Sequence, residues 1–219
     1  MPGRQPHAGT FSIVALDPRT GDLGVAVQSK YLAVGAVVPW LAAGAGAIAT
    51  QAQTNTDYGP LGLDLLRQGY SAAEVVARLT GDDRQAAVRQ LGVVDADGGV
   101  ASFTGEQCEP WAGAAAGKTH TAQGNIIAGL KVVAAMVSAL EASSHSFAER
   151  LLIALEAGQA AGGDRRGQQA AALVVASTGA GHSGYNDRVV DLRVDDHPTP
   201  IAELRRLLEL FWEAHGGGR

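Results

Sequence analysis

The chain has 219 residues, 46% of them hydrophobic and 18% charged, which is ordinary for a single folded domain with a substantial core. A net charge of −5 without any basic block argues against nucleic acid as a partner. Cys108 is the single cysteine, so an intrachain disulfide and a cysteine-based zinc site are both excluded. Residues 31–50 carry no charge, but Pro39 and glycines interrupt them, and we expect buried strands rather than a membrane span.

The first nine residues, MPGRQPHAG, are polar and contain two prolines. They lack the apolar core of a secretory signal. We therefore expect a disordered leader over residues 1–9, followed by one domain over residues 10–215. Because we identify neither a secretory signal nor a membrane span, we expect a cytoplasmic protein without a membrane partner.

Two short apolar runs, residues 10–17 (TFSIVALD) and 23–30 (LGVAVQSK), are rich in the residues that favour strands. Turn residues separate them, so together they predict a β-hairpin. Its first strand begins with Thr10, directly after Gly9. Cleavage of that bond would give Thr10 both a hydroxyl nucleophile and a free α-amine, an activating base with a pKa of about 7.7–8.0. The alternative is that Thr10 is simply the first β-branched residue of a strand.

The remaining strand and helix signals alternate along the chain. Strands are predicted within residues 40–54 and at 89–96, 100–105, 170–176 and 189–194. Helices are predicted at 58–68, after a capping box at Ser71, from Ile126, after a second capping box at Ser146, and from Pro200. Because hairpins dominate the strand connections, we expect an α+β fold, a four-layer αββα sandwich with two antiparallel sheets between helical layers.

Nine segments form a recognisable set: TFSIVALD (10–17), GVAVQSK (24–30), AVGAVVP (33–39), ATQAQTN (49–55), YGPLGLDLL (58–66), TGEQCEPWAG (104–113), QGN (123–125), AGGDRRGQQAAAL (161–173) and DLRVDDHP (191–198). Together they resemble the bacterial DUF1028 family, a domain of unknown function whose fold is similar to that of the N-terminal nucleophile (Ntn) hydrolases. The resemblance implies an Ntn-hydrolase-like αββα sandwich and amide-bond hydrolysis by an N-terminal Thr, Ser or Cys.

The bond between Gly9 and Thr10 is similar to the cleavage point of proteasome β-subunits. There are two departures from those subunits. Gln28 stands where they have an acidic residue, and the third strand lacks their catalytic lysine, so that Lys30 is the nearest candidate.

A threonine nucleophile requires fixed hydrogen-bond donors for the developing oxyanion. We predict Thr10, Lys30 and Asn125 as catalytic residues. The candidates for substrate binding are Ser29, Thr50, Gln51, Asn55, Gln123, Asp164 and Arg166. Arg166 fits bidentate recognition of a substrate carboxylate, while a solvated, salt-bridged turn is the competing explanation for its loop. Helix capping explains Gln123 and Asn125 equally well.

Three other motifs have simpler explanations. The run Asp195-Asp196-His197 contains metal-ligand types, but neighbours on a strand point to opposite sides, and a polar strand end explains the run better. Cys108 has no nearby acid–base pattern and is expected to be a packed thiol. Residues 44–49 (GAGAIA) have the spacing of a dinucleotide loop, but no convincing amphipathic helix follows them.

The function predicted from these observations is an Ntn-type amidohydrolase that cleaves a small amide or short peptide, after cleavage behind Gly9 exposes Thr10. No metal or other cofactor is expected, and we expect a homodimer by analogy with related folds. The alternative is a catalytically silent protein that keeps the sandwich for ligand binding or assembly. A dinucleotide-binding enzyme around residues 44–49 is the third hypothesis.

Overall fold

The structure, a computed structural model, describes residues 9–215. Residues 1–8 of the predicted leader lie outside the described residues, whereas Gly9 is described and buried. The elements, in chain order, are β1 (Thr10–Leu16), β2 (Leu23–Ser29), β3 (Pro39–Ala42), β4 (Gly46–Ala52), α1 (Tyr58–Arg67), α2 (Ala72–Gly81), β5 (Arg89–Asp95), β6 (Val100–Thr104), β7 (Gly113–Ala116), β8 (His120–Asn125), α3 (Leu130–Ala142), α4 (Phe147–Ala160), β9 (Ala170–Ala176), β10 (Arg188–Val194) and α5 (Pro200–His215).

These strands form two antiparallel sheets. One has six strands in the order β10-β9-β2-β1-β8-β7, and the other has four in the order β3-β4-β5-β6. The predicted hairpin is confirmed, since β1 pairs antiparallel with β2 and Thr10 lies opposite Ser29. On its other side β1 pairs with β8, where Thr10 lies opposite Asn125. β1 is therefore an interior strand of the larger sheet.

Three buried clusters define four layers. The helices α3, α4 and α5 pack against the six-stranded sheet through residues such as Phe11, Met136 and Leu204. The two sheets meet through small and β-branched side chains such as Val25 and Ala47. On the far side, α1 and α2 cover the four-stranded sheet. The predicted α+β, αββα architecture is confirmed, and each large side chain buried in it contributes about 1.5–3 kcal/mol.

All seven residues of β1 are buried, and alternation decides which layer each one enters. Phe11, Ile13 and Ala15 belong to the cluster beneath the helices. Val14 belongs to the cluster between the sheets. Thr10 and Ser12 share the face of Val14, so the sequence places two polar side chains between the sheets, at the beginning of the strand.

The segment after β6 differs from its prediction. A helix beginning at Ile126 is wrong, because β8 continues to Asn125 and Ile126 has φ of +56°, outside the helical region. The helix begins instead at Leu130, preceded by Gly129 with φ of +135°. Strands β7 and β8 were not predicted, since their sequences GAAA and HTAQGN lack β-branched and aromatic runs.

The uncharged segment at residues 31–50 contains β3 and most of β4, in agreement with the prediction of buried strands. The dinucleotide-loop hypothesis is wrong, because Gly44 lies in a turn and β4 begins at Gly46, where a dinucleotide loop would open a helix. Between residues 9 and 215, no helix combines the length and apolar character needed to cross a bilayer.

Candidate functional site

The carbonyl oxygen of Gly9 is the centre of a buried polar group at the beginning of β1. It accepts a hydrogen bond from the hydroxyl of Ser29 on β2 and a second one, of 2.9 Å, from the Nη2 of Arg166. The hydroxyl of Thr10 donates to the same Ser29 oxygen at 3.0 Å. A chain of hydroxyls therefore runs from Thr10 through Ser29 to the carbonyl that precedes Thr10.

Asp164 fixes the guanidinium of Arg166. Its carboxylate accepts bonds from Arg166 Nε at 3.2 Å and Nη2 at 2.8 Å, and from the backbone N–H of Arg166 at 2.9 Å. The backbone N–H of Lys30 donates to the same carboxylate at 3.0 Å. The carboxylate is fully buried and the Arg166 side chain is 29% exposed, and the several charge-assisted hydrogen bonds between them give the pair a defined geometry. We call Gly9, Thr10, Ser29, Asp164 and Arg166 the Gly9 site.

A second buried polar group lies further along the same face of β1. Ser12 donates to Gln51 Oε1 at 2.6 Å and accepts from Gln123 Nε2 at 2.6 Å. Gln51 Nε2 donates to Gln90 Oε1 at 2.8 Å and lies 3.5 Å from the carbonyl oxygen of Thr10. Gln90 in turn donates to the carbonyl of Gly124 at 2.9 Å. We call Ser12, Gln51, Gln90 and Gln123 the glutamine cluster; it joins the two sheets with neutral groups.

The two groups differ in the chemistry they allow. The Gly9 site holds a hydroxyl nucleophile candidate, a hydroxyl that links it to a peptide carbonyl, and a charged donor on that carbonyl. Those are the parts needed to attack an amide and to stabilise the resulting oxyanion. Thr10 is only 1% exposed, so in the uncut chain the peptide bond next to it is the amide within reach.

The family model for the family of unknown function DUF1028 matches residues 10–204, which is most of the chain. The chain belongs to the DUF1028 family. A crystal structure of a DUF1028 protein from Silicibacter pomeroyi is 35% identical, with a TM-score of 0.85 over 92% of this chain and 85% of that one. Among curated proteins, none matches this chain.

Lys30 of this DUF1028 protein does not point its ammonium group at Thr10. Its side chain is exposed, and its Nζ donates to the backbone carbonyl of Gln168 at 3.1 Å. What Lys30 contributes to the Gly9 site is its backbone N–H, on Asp164. The charged group beside the Gly9 carbonyl is the guanidinium of Arg166, a role that sequence reasoning had not given to it.

Asn125 and Gln123 lie in β8, so the helix-capping explanation for them is wrong. Asn125 is buried directly across from Thr10, and it also lines a cavity of about 10 Å³, roughly the room of one water molecule. Gln123 belongs to the glutamine cluster. Both residues are thus close to β1, but Asn125 is the one at the level of Thr10.

Thr50 and Asn55 are not brought to Thr10. Thr50 alternates with Gln51 on β4, so it faces the α1–α2 layer, and its hydroxyl donates to the backbone carbonyl of Asn55. Asn55 Nδ2 lies 3.4 Å from Asp83. Burial alone would raise the pKa of Asp83, but hydrogen bonds from Arg89, Gln85 and Tyr58 lower that pKa to about 2. These residues form a separate ion-paired cluster on the outer side of the smaller sheet.

The competing motifs have structural roles. His197 Nδ1 accepts the backbone N–H of Thr199 just before α5, and Asp196 accepts from Gln169, as expected for a polar strand end. Within residues 9–215 there is no group of three or more His, Cys, Asp or Glu side chains able to hold a metal ion. Burial raises the pKa of the Cys108 thiol, which disfavours the nucleophilic thiolate.

Two glutamines complete the comparison with the sequence: Gln28, noted there as a departure from the proteasome subunits, and Gln90, which was not noted. Gln28 pairs with Phe11, so it faces the helices, on the opposite side of the sheet from Thr10. The acidic position suggested by the proteasome resemblance therefore contributes nothing next to Thr10. Gln90 was not a candidate, although a polar residue at an inward position of the apolar strand 89–95 was a signal that could have found it.

Proposed function

We propose that this DUF1028 protein is an Ntn-type amidohydrolase that cleaves its own Gly9–Thr10 bond and then uses Thr10 on a small amide or short peptide. The observation that carries the proposal is the pair of donors on the Gly9 carbonyl, the Ser29 hydroxyl and the Arg166 guanidinium. Fixed donors of this kind stabilise the charge that a carbonyl oxygen gains under nucleophilic attack. A strand residue with a purely structural role needs no charged donor on the preceding carbonyl.

In the first step, Thr10 Oγ1 attacks the carbonyl carbon of Gly9. The Oγ1 proton passes to Ser29 Oγ, to which it is already hydrogen-bonded, while the Ser29 proton passes to the carbonyl oxygen. The tetrahedral intermediate collapses by breaking the C–N bond, and its hydroxyl proton goes to the departing nitrogen. The products are an ester on Thr10 Oγ1 and a free α-amine on Thr10.

Water then hydrolyses the ester, releasing residues 1–9 with a new carboxyl group and restoring the Thr10 hydroxyl. In the mature chain the α-amine of Thr10 acts as the general base, because an α-amine is far less basic than a lysine and is at least about half unprotonated at pH 8. A substrate whose carbonyl oxygen lies near the present position of the Gly9 oxygen would meet the same two donors. The proposal therefore assigns activation to Thr10 and Ser29, and not to Lys30.

The test is the intact mass of the purified protein together with amide hydrolysis. We expect the wild type to lose residues 1–9 and to release amine from simple amides. The Thr10→Ala variant should keep the leader and lack activity, while Thr10→Ser should retain part of both. A wild-type chain that stays full length, with no change caused by Thr10→Ala, would contradict the proposal and favour the ligand-binding or assembly alternative.

The subcellular location and the oligomeric state stay predictions. We propose a cytoplasmic protein that forms a homodimer, and size-exclusion chromatography with light scattering would test the oligomeric state. A monomer at micromolar concentration would contradict that assignment without affecting the proposed chemistry.

A further inference from the structure

We infer that the acyl side of the cleaved bond must be glycine, so that the substrate class is amides and peptides with a glycyl carbonyl. The inference rests on the proposed function and adds a substrate class to it. In the uncut chain Gly9 is the acyl residue of the bond that Thr10 attacks, and a substrate whose carbonyl oxygen accepts from Ser29 and Arg166 would have its own acyl residue next to Asp164.

A side chain on Gly9 has no space. A Cβ of L configuration would lie 2.6 Å from Asp164 Oδ1 and 2.9 Å from both Cγ and Oδ2 of the same carboxylate. These separations are well inside van der Waals contact. Either the carboxylate or the acyl residue must shift to admit even an alanine.

The carboxylate of Asp164 is poorly able to shift. It is buried, and it accepts hydrogen bonds from the Lys30 backbone and from three N–H groups of Arg166. Moving it would break bonds that also hold Arg166 Nη2 on the Gly9 carbonyl. The same carboxylate thus positions the oxyanion donor and closes the space beside the acyl carbon.

The alternative accommodation is a shift of the acyl residue itself. That shift moves the carbonyl relative to Ser29 and Arg166, which both lie within hydrogen-bond distance of it in the present position. A displacement of about 1 Å at a reacting carbonyl costs on the order of 100-fold in rate. Discrimination against L side chains therefore follows from the rigidity of the Asp164–Arg166 pair.

A double-mutant cycle on self-cleavage tests this inference, with rates followed by mass spectrometry after cell-free synthesis of the whole chain. Gly9→Ala should slow cleavage about 100-fold in the native background. In the Asp164→Ala background, which is itself slower, Gly9→Ala should have little further effect, because the obstructing carboxylate is gone. Melting curves report whether the chain still folds. They are measured for Gly9→Ala and for Gly9→Ala combined with Asp164→Ala, each in a chain that also carries Thr10→Ala and therefore does not cleave itself.

The outcomes separate the inference from the proposed function. Cleavage of Gly9→Ala at the wild-type rate, or equal slowing in both backgrounds, overturns the glycine subsite and leaves the hydrolase standing. No cleavage of the wild type overturns both.

A second measurement needs no variant, and therefore still tests the inference if the variants fail to fold or to cleave. The self-processed wild type is assayed with glycine and L-alanine p-nitroanilides, and kcat/KM should favour glycine about 100-fold. Equal or better hydrolysis of the L-alanine compound would overturn the inference.

Discussion

The Gly9 site and the glutamine cluster are both polar and begin two residues apart on one face of β1. The glutamine cluster is wholly buried, whereas the Arg166 side chain of the Gly9 site is 29% exposed. In the glutamine cluster, neutral amides bond to one another and to backbone carbonyls, and the result is a bridge between two sheets. In the Gly9 site, a partly exposed guanidinium, paired with the buried carboxylate of Asp164, donates to one peptide carbonyl. The difference indicates that the glutamine cluster serves stability, while the Gly9 site is arranged around a particular bond.

Ser29→Ala is expected to have the largest effect on the cleavage rate, and so to distinguish the Gly9 site most clearly from the glutamine cluster. It removes both the hydroxyl link from Thr10 and one donor on the Gly9 carbonyl, so self-cleavage should slow by about 10²–10⁴-fold. The matched control is Ser12→Ala, the same substitution in the glutamine cluster, which should leave the cleavage rate near that of the wild type. Rates are measured by mass spectrometry, and equal slowing by the two variants would abolish the distinction.

Arg166→Leu removes the charged donor and leaves the hydroxyl link in place. Loss of one oxyanion donor predicts a reduction in the cleavage rate of about 10²–10³-fold. Its neighbour Arg165 has an exposed side chain that approaches only the carbonyl of Pro110, at 3.4 Å, so Arg165→Leu is the control. If both arginine variants cleave at the wild-type rate, Arg166 is a structural partner of Asp164 and nothing more.

Gln90→Leu should produce the opposite pattern, a loss of stability with cleavage retained. Its amide donates to Thr104 and to two backbone carbonyls, and removing it leaves buried groups unpaired at a cost of about 1–3 kcal/mol. Urea unfolding on the Thr10→Ala background measures this cost without interference from cleavage. Loss of cleavage in a Gln90→Leu protein that is still folded would place the glutamine cluster in the reaction.

The smallest expected effect is at Ser71, far from both regions. Ser71 and Glu74 form a capping box at the beginning of α2, and Ser71→Ala should lower the free energy of unfolding by about 1 kcal/mol. Ser71→Thr keeps the capping oxygen and serves as the control. The cleavage rate should be unchanged in both variants, and a changed rate would mean that cleavage reports general stability instead of local chemistry.

Local signals in the sequence were sufficient for much of the fold. The β1–β2 hairpin, both capping boxes and the last helix depend on residues close together in the chain, and the structure has all of them. Strand β8 was not predicted because it depends on a partner that is distant in the chain. The sequence HTAQGN has little β-propensity of its own and becomes a strand through pairing with β1, over 100 residues earlier. The helix was consequently predicted to begin too early, at Ile126.

The site shows the same limit. Thr10 could be identified from the sequence, because it is a hydroxyl residue that follows a glycine at the beginning of a predicted strand. Arg166 meets the Gly9 carbonyl across 157 positions of chain, and only the assembled sheet and its loops create that contact. Lys30 was nearer in sequence, but strand alternation and its bond to Gln168 direct its ammonium elsewhere.

The most direct test of the account is the rate of cleavage between Gly9 and Thr10 in freshly synthesised full-length chain, measured over a wide range of dilution. We expect a new N-terminus at Thr10, formed with a first-order rate constant that does not depend on concentration and absent in Thr10→Ala. An intact Gly9–Thr10 bond in folded protein, or cleavage that slows on dilution because another molecule performs it, would contradict the account.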